Sequence, residues 1–448
     1  MKTLLFAVLS GMLALSPARV RPAQIDIARN EAEASFPNAI TFYLTASSPA
    51  SIESVELEFG TDATACGEST ARVVPDDFVP GTTVATEWTW DLRRTGALPP
   101  GTEVWWRWIV QDSAGGELTT PDQSIVVEDT QRSWRNTASD PIDLYWYTGD
   151  NRFADTLMGA AQAALVTIRE ATGVEYDGDI RLYVYGDSTE MQSATLFAPD
   201  WSGGLAFPEH SAVLAAIAPN ELAWGQRAVA HELTHVVLGQ YTFSCLDSTP
   251  TWVTEGLAMY AEGEPEEGLL SSLEEAVQEG TLLPVRSLSQ GFSNDPYLSY
   301  LAYAQSYSLV DFLVGEYGPE RMIALLDQFR QGSTEDQALQ RVYAFDRDGL
   351  DAAWRTSIGA AESQGAVPAE GKPTPTPYPT FAPLGAPNAG AATSVVSALT
   401  AAATPIPATD ETKPSGKAPP GLCAAPAAIG VVGLGLMLLP RAQRRAGA

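Results

Sequence analysis

His231-Glu232-Leu233-Thr234-His235 constrains this chain more than any other stretch. The sequence holds three histidines, and two of them stand in this pentapeptide. On a helix of about 3.6 residues per turn, their spacing stacks both imidazoles on one face. The segment 220–240 predicts such a helix, with Asn220 as a candidate N-cap and Gly239 near its end. Leu222, Val229, Leu233 and Val236 fall along one stripe, while His231 and His235 fall nearly opposite, beside Trp224 and Ala228. One face therefore packs into a core, and the imidazoles look into a cleft, close enough to bind one metal ion. Glu232 lies to the side of the pair, where it reaches a metal-held water rather than the metal. A structural metal site, or two surface histidines, would leave Glu232 without a role.

A zinc ion needs a third protein ligand, and Glu255 supplies a candidate within Pro250-Thr251-Trp252-Val253-Thr254-Glu255-Gly256-Leu257-Ala258. HExxH followed at this distance by Trp-x-x-Glu-Gly-Leu-Ala resembles the gluzincin metallopeptidases of the thermolysin and aminopeptidase kind. More closely, it resembles the bacterial peptidase MA-like domains, over about residues 140–359. The resemblance implies that His231, His235 and Glu255 are zinc ligands and that Glu232 is the general base. Two positions depart from the pattern. Thr254 stands where many gluzincins carry Asn, and Met259 stands where thermolysin-type enzymes place an Asp that orients a ligand histidine. The carboxylate behind the ligands must then come from elsewhere.

The implied chemistry is peptide hydrolysis. Three protein ligands leave one zinc position for water, the metal acidifies that water and polarises the carbonyl, and Glu232 moves the proton. The oxyanion then needs a donor. No histidine follows His235, so a tyrosine is the substitute, as in the aminopeptidase branch. Tyr300, Tyr303 and Tyr307 stand at helical spacing, a pattern that core packing explains equally well. Tyr303, which opens a Tyr-Ala-Gln-Ser segment that recurs in MA-like domains, is the expected donor. His210, after Gly203-Gly204-Leu205-Ala206-Phe207-Pro208-Glu209, reads as an exposed turn residue rather than a ligand, beside a strand that in gluzincins borders the cleft and pairs with extended substrate. The expected partner is a peptide or protein substrate; the alternative is a zinc-binding surface protein without turnover that binds a partner.

Charge narrows the remaining partners. With 26 basic against 55 acidic residues, the formal net charge is −29, which argues against nucleic acid. Three cysteines exclude a disulfide-rich scaffold. Cys66 and Cys245 either form one inter-domain bridge or stand as free thiols. The start, 1–18, reads as a secretory signal, with Lys2 before an apolar run and small residues at Ser16-Pro17-Ala18. Residues 422–439 run without a charge and precede Arg441, Arg444 and Arg445 in a short tail, 440–448. That is the pattern of a transmembrane helix with a positive-inside flank, which anchors the body at the cell surface; a processed sorting signal has the same form. Oligomeric state is not legible.

Between these ends the hydrophobic period changes. Over 22–130 it is two, with Ile40, Phe42 and Leu44, then Val55, Leu57 and Phe59, then Trp88 and Trp90, then Val104, Trp106 and Trp108. About seven strands separated by turn signals predict an all-β, immunoglobulin- or fibronectin-like sandwich. Over 134–360 the pattern predicts an α+β metallopeptidase-like domain: strands at 142–147 and 180–185 around a helix at 151–171, a short helix at 188–196, the cleft-edge strand and the helix of the histidine pair, then, beyond Glu255, helices only, at 269–278, 297–316, 319–331, 334–342 and 350–358. Residues 363–420, rich in Pro, Thr, Ala and Ser, predict a disordered stalk.

Overall fold

A computed structural model describes residues 25–67, 70–196 and 202–361. The expected signal, stalk, membrane span and tail lie outside the described residues. Among the described residues, no helix is long and apolar enough to cross a membrane.

The first domain consists of β1 (Asp26–Ser35), β2 (Ala39–Thr61), β3 (Thr70–Val73), β4 (Gly81–Asp91), β5 (Thr102–Asp112), β6 (Glu117–Thr119) and β7 (Gln123–Val127). The two apolar runs at 40–44 and 55–59, expected as separate strands, are halves of the 23-residue β2. Ser48-Pro49-Ala50-Ser51 between them lacks the glycine or asparagine that a tight reversal needs, so the backbone stays extended. Pro49 falls where the register shifts between Ser47 and Ile52, so its missing N–H interrupts no ladder. The Ser48 hydroxyl donates to Asp112 at 2.7 Å and ties this point to β5. The first half of β2 pairs with β1 and β4, and the second half with β3 and β5. This corrects the immunoglobulin-like expectation of two separate sheets, since all seven strands belong to one hydrogen-bonded sheet through β2. The sheet folds over on itself. Phe42 on one half meets Phe59 on the other with ring centroids 5.4 Å apart, and both halves share one apolar core.

The second domain begins with β8 (Arg135–Ser139), β9 (Ile142–Trp146), α1 (Asn151–Thr172), β10 (Ile180–Tyr185), α2 (Ser188–Ser193), β11 (Gly204–Phe207) and β12 (Ala212–Ala216). It continues through α3 (Leu222–Tyr241), α4 (Thr251–Ala261), α5 (Glu267–Glu279), α6 (Val285–Leu288), α7 (Pro296–Tyr317), α8 (Pro319–Arg330), α9 (Glu335–Tyr343) and α10 (Arg347–Ser357). Its sheet runs in the order β11-β12-β10-β9-β8, with a parallel centre and antiparallel edges. The helix α1 makes the crossover between β9 and β10. Asp150 caps its start by accepting from the Phe153 N–H, and Gly173, at φ 73, ends it. The strand β8 escapes sequence reading because Arg-Asn-Thr-Ala-Ser has no apolar alternation. The helix α3 starts after a 3-10 turn at Pro219–Glu221, so Asn220 does not cap it. Gly239 is not its terminator either: it lies inside the helix, and a Cβ there would come within 2.6 Å of Pro208.

Covalent and polar links join the domains. Cys66 in the first is bonded to Cys245 in the loop between α3 and α4, with their Cα atoms 5.4 Å apart. The Thr64 N–H donates to the Glu209 carbonyl at 3.0 Å, and the Arg181 guanidinium donates to the carbonyls of Gly101 and His210. The bridge closes a span of 179 residues. Bridges over long loops typically contribute about 2–5 kcal/mol by restricting the unfolded chain. Joint replacement of Cys66→Ala and Cys245→Ala is therefore expected to lower the denaturant midpoint by a corresponding amount. An unchanged midpoint would show that the bridge braces nothing.

Candidate metal centre

Two helices that follow one another in the chain carry the site. His231 and His235 project from α3 and Glu255 from α4, and all three are buried. One candidate ligand atom from each lies within 4.8 Å of the other two. The Glu255 Oε2 stands 3.3 Å from the His231 Nε2 and 3.5 Å from the His235 Nε2, and the imidazole centroids are 4.8 Å apart.

Residues beside Glu255 fix where its helix lies. The Trp252 ring is fully buried, and its indole N–H donates to the Glu335 Oε1 at 2.8 Å, which locks α4 to α9. Gly256 lies so close to α7 that a Cβ would sit 2.4 Å from the Ser306 carbonyl oxygen. In the Trp-x-x-Glu-Gly segment, then, one residue anchors the helix, one enters the site and one permits close approach. Glu232 neighbours the pair from α3. Gly204, at the start of β11, passes so near that a Cβ would come within 2.6 Å of the Glu232 Cγ. Only backbone fits there.

The donor set fits a metal on its own chemistry. The His231 Nε2, His235 Nε2, Glu255 Oε2 and Glu232 Oε2 are buried without a hydrogen-bond partner. Buried polar atoms left unpaired cost about 1–3 kcal/mol each, and natural cores contain few. Two imidazole nitrogens and one carboxylate oxygen match the donor set by which proteins hold a catalytic Zn2+.

Electrostatics at the site follow from burial and proximity. Burial pushes the Glu232 carboxyl up to about 8, partly opposed by His231. For Glu255 burial acts the same way, but the two imidazoles outweigh it and hold the carboxyl down at about 2. Burial alone would lower the His231 pKa, yet the carboxylates of Glu255 and Glu262 raise it well above its ordinary value. His235 is lowered, mainly by burial.

Glu262, unmarked by sequence reading, occupies the place that Met259 leaves unfilled. It lies at the end of α4, with its Oε1 2.8 Å from the His231 Nδ1. A carboxylate accepts only, so Nδ1 donates to it and the Nε2 lone pair faces Glu255. Arg227 holds the other oxygen of Glu262 at 2.9–3.0 Å. A usable signal was present: Glu262 follows Glu255 by two helical turns, and Arg227 precedes His231 by one.

Of the three tyrosines on α7, Tyr303 approaches the centre. Its ring centroid is 6.4 Å from that of His231, and Phe292 packs edge-on against it at 5.0 Å. Burial, reinforced by the carboxylates of Glu255, Glu232 and Glu262, raises its pKa well above the ordinary tyrosine value, so the phenol keeps its proton. Tyr307 stacks instead on Tyr260, and Tyr300 lies toward Gly268. His210 sits in a 3-10 turn, Pro208–His210, and takes no part in the donor cluster, but it is half-buried rather than exposed as expected, because the turn packs against the first domain.

The sequence model of the Peptidase MA superfamily matches residues 160–360. No curated protein matches the chain. Among solved structures, similarity extends to an M1 zinc metallopeptidase from Deinococcus radiodurans, at 13% identity and a TM-score of 0.35, covering 78% of this chain and 97% of that one. The same metallopeptidase bound to a Tyr-Ser-Ala substrate aligns at 11% identity and a TM-score of 0.34, covering 74% and 94%. An aminopeptidase N family protein from Idiomarina loihiensis aligns at 10% identity and a TM-score of 0.31, covering 72% and 71%.

Proposed function

We propose that this chain, whose residues 160–360 carry the Peptidase MA superfamily domain, is a zinc-dependent peptidase of the gluzincin type. The observation that carries this reading is the convergence of three buried candidate ligands beside an unpartnered Glu232 oxygen. A purely structural site closes all its positions with ligands and needs no such neighbour.

In this reading His231, His235 and Glu255 hold Zn2+, which when bound acidifies a water and polarises the scissile carbonyl. Glu232 takes a proton from the attacking water on its free oxygen and passes it to the leaving amine. Burial lifts the affinity of that carboxylate for a proton, which suits a group that must both accept and return one. Tyr303, kept protonated, donates to the developing oxyanion. Glu262 fixes the tautomer and orientation of His231, and Arg227 fixes Glu262. Water is limited by the packing of β11 on Glu232 and of Phe292 on Tyr303.

Secretion is part of the same proposal. The Cys66–Cys245 bridge fits an oxidising compartment, and the signal-like start and the apolar stretch 422–439 fit a body held outside the membrane. The β-domain, folded as a single wrapped sheet, retains the strand number of a fibronectin-like module.

Glu232→Gln is expected to keep one zinc per chain while lowering kcat by about 10²–10⁴-fold on a diverse peptide library. Tyr303→Phe is expected to lower kcat by about 10²–10³-fold with little change in KM. Zinc retained by a wild-type protein that cleaves nothing would instead leave a metal-binding protein without turnover. Glu262→Gln is expected to weaken zinc binding about 10–100-fold in chelator competition, because His231 loses its anionic partner. Equal affinity in wild type and variant would remove that role.

A further inference from the structure

The strand β11 lies at the edge of its sheet, paired on one side with β12. Its first residue, Gly204, touches Glu232. Its last, Phe207, lines a cavity of about 350 Å³ between the two domains. The first domain supplies the opposite walls with Phe59, Trp90, Leu98, Ala63 and Ala97. Gly204 and Phe207 stand three residue steps apart in extended chain, a run of about 10 Å. The volume lies within the range of about 300–1,000 Å³ typical of sites that take a small molecule or a large side chain.

The cavity is braced. Ala63 lies just ahead of Thr64, whose N–H bonds to the Glu209 carbonyl, and of Cys66, bonded to Cys245. The other wall, Phe207, Glu209 and His210, is fixed to the end of α3 by the Gln240 amide, which donates to the Pro208 carbonyl at 2.8 Å. His210 adds no charge to it at neutral pH, since burial and then Arg181 push its pKa down to about 4. The aromatic and aliphatic walls favour an apolar guest, and the Glu209 carboxyl, which lines the cavity beside Thr61 and Thr95, disfavours an anion.

We propose that this inter-domain cavity is a distal substrate subsite, which takes a bulky apolar side chain of an extended peptide lying along the edge of β11 that no described strand pairs with. The inference rests on the peptidase reading and extends it to substrate class. Antiparallel pairing is the more stable alignment for an added strand. In that alignment the peptide residue reaching Phe207 lies about three positions before the one opposite Gly204, toward the peptide N-terminus. The substrate therefore continues well past the scissile bond on that side, and the enzyme cuts within chains. The β-domain becomes part of the specificity machinery.

The test profiles wild type and two cavity-filling variants, Ala63→Trp and Ala97→Trp, on one peptide library with mapped cleavage sites. Circular dichroism and zinc content of each variant serve as controls for folding. Wild type is expected to favour Phe, Tyr, Trp, Leu or Ile three or four residues before the cut. The filled variants are expected to lose at least about tenfold of that preference, through KM with kcat unchanged. Peptides that begin one residue before the cut should be cleaved, or ignored, equally by all three proteins. Cleavage by wild type with a flat profile at those positions, or a preference kept by both filled variants, overturns the subsite alone. A wild-type protein that cleaves no peptide overturns the peptidase reading, and the subsite with it.

Discussion

A buried carboxylate facing two buried imidazoles is an expensive arrangement, and the rest of the structure is organised to keep it. Four polar atoms at this point lack hydrogen-bond partners, each at a cost of about 1–3 kcal/mol. A core of the same shape filled with apolar side chains would avoid that cost. The geometry persists because α3 and α4 are held from outside the site. Trp252 is tied to Glu335, Gly256 seats against α7, and Arg227 clamps Glu262 behind His231. A bound Zn2+ removes the penalty by giving the imidazole nitrogens and the Glu255 oxygen a partner, so metal and fold stabilise one another.

The first domain shows how far such constraints reach. A single long strand gives it one continuous sheet, and the bridge at Cys66 fixes that sheet to the loop joining the two site-bearing helices. The same contacts leave a cavity at the end of the strand that touches Glu232. Architecture and proposed selectivity thus meet along β11, whose glycine end faces the chemistry and whose aromatic end faces the neighbouring domain.

Much of this was legible in the residues. The i, i+4 histidines carry their own geometry, since helical stacking follows from spacing alone. Trp252 to Ala258 was recognisable through its resemblance to the gluzincin segment, and its tryptophan and glycine prove to serve packing tasks. Five of the six described helices after α4 were readable from periodicity, to within a few residues at their ends, while the four-residue α6 is too short to show a period. What stayed hidden depends on tertiary contact. Glu262 looks like any charged residue at a helix end until Arg227 and His231 are brought beside it. The continuity of β2 was masked by Pro49, which usually ends a strand but here falls where the strand changes partners. Gly239 resembled a helix stop because close packing against Pro208 is invisible in one dimension.

X-ray absorption at the zinc edge on the purified protein tests the central claim most directly. The account predicts one zinc per chain with two imidazoles and a carboxylate at about 2.0–2.2 Å, no sulfur neighbour, and loss of one imidazole in His235→Ala. A protein without zinc, or a metal shell that keeps both imidazoles when His235 is removed, would contradict it.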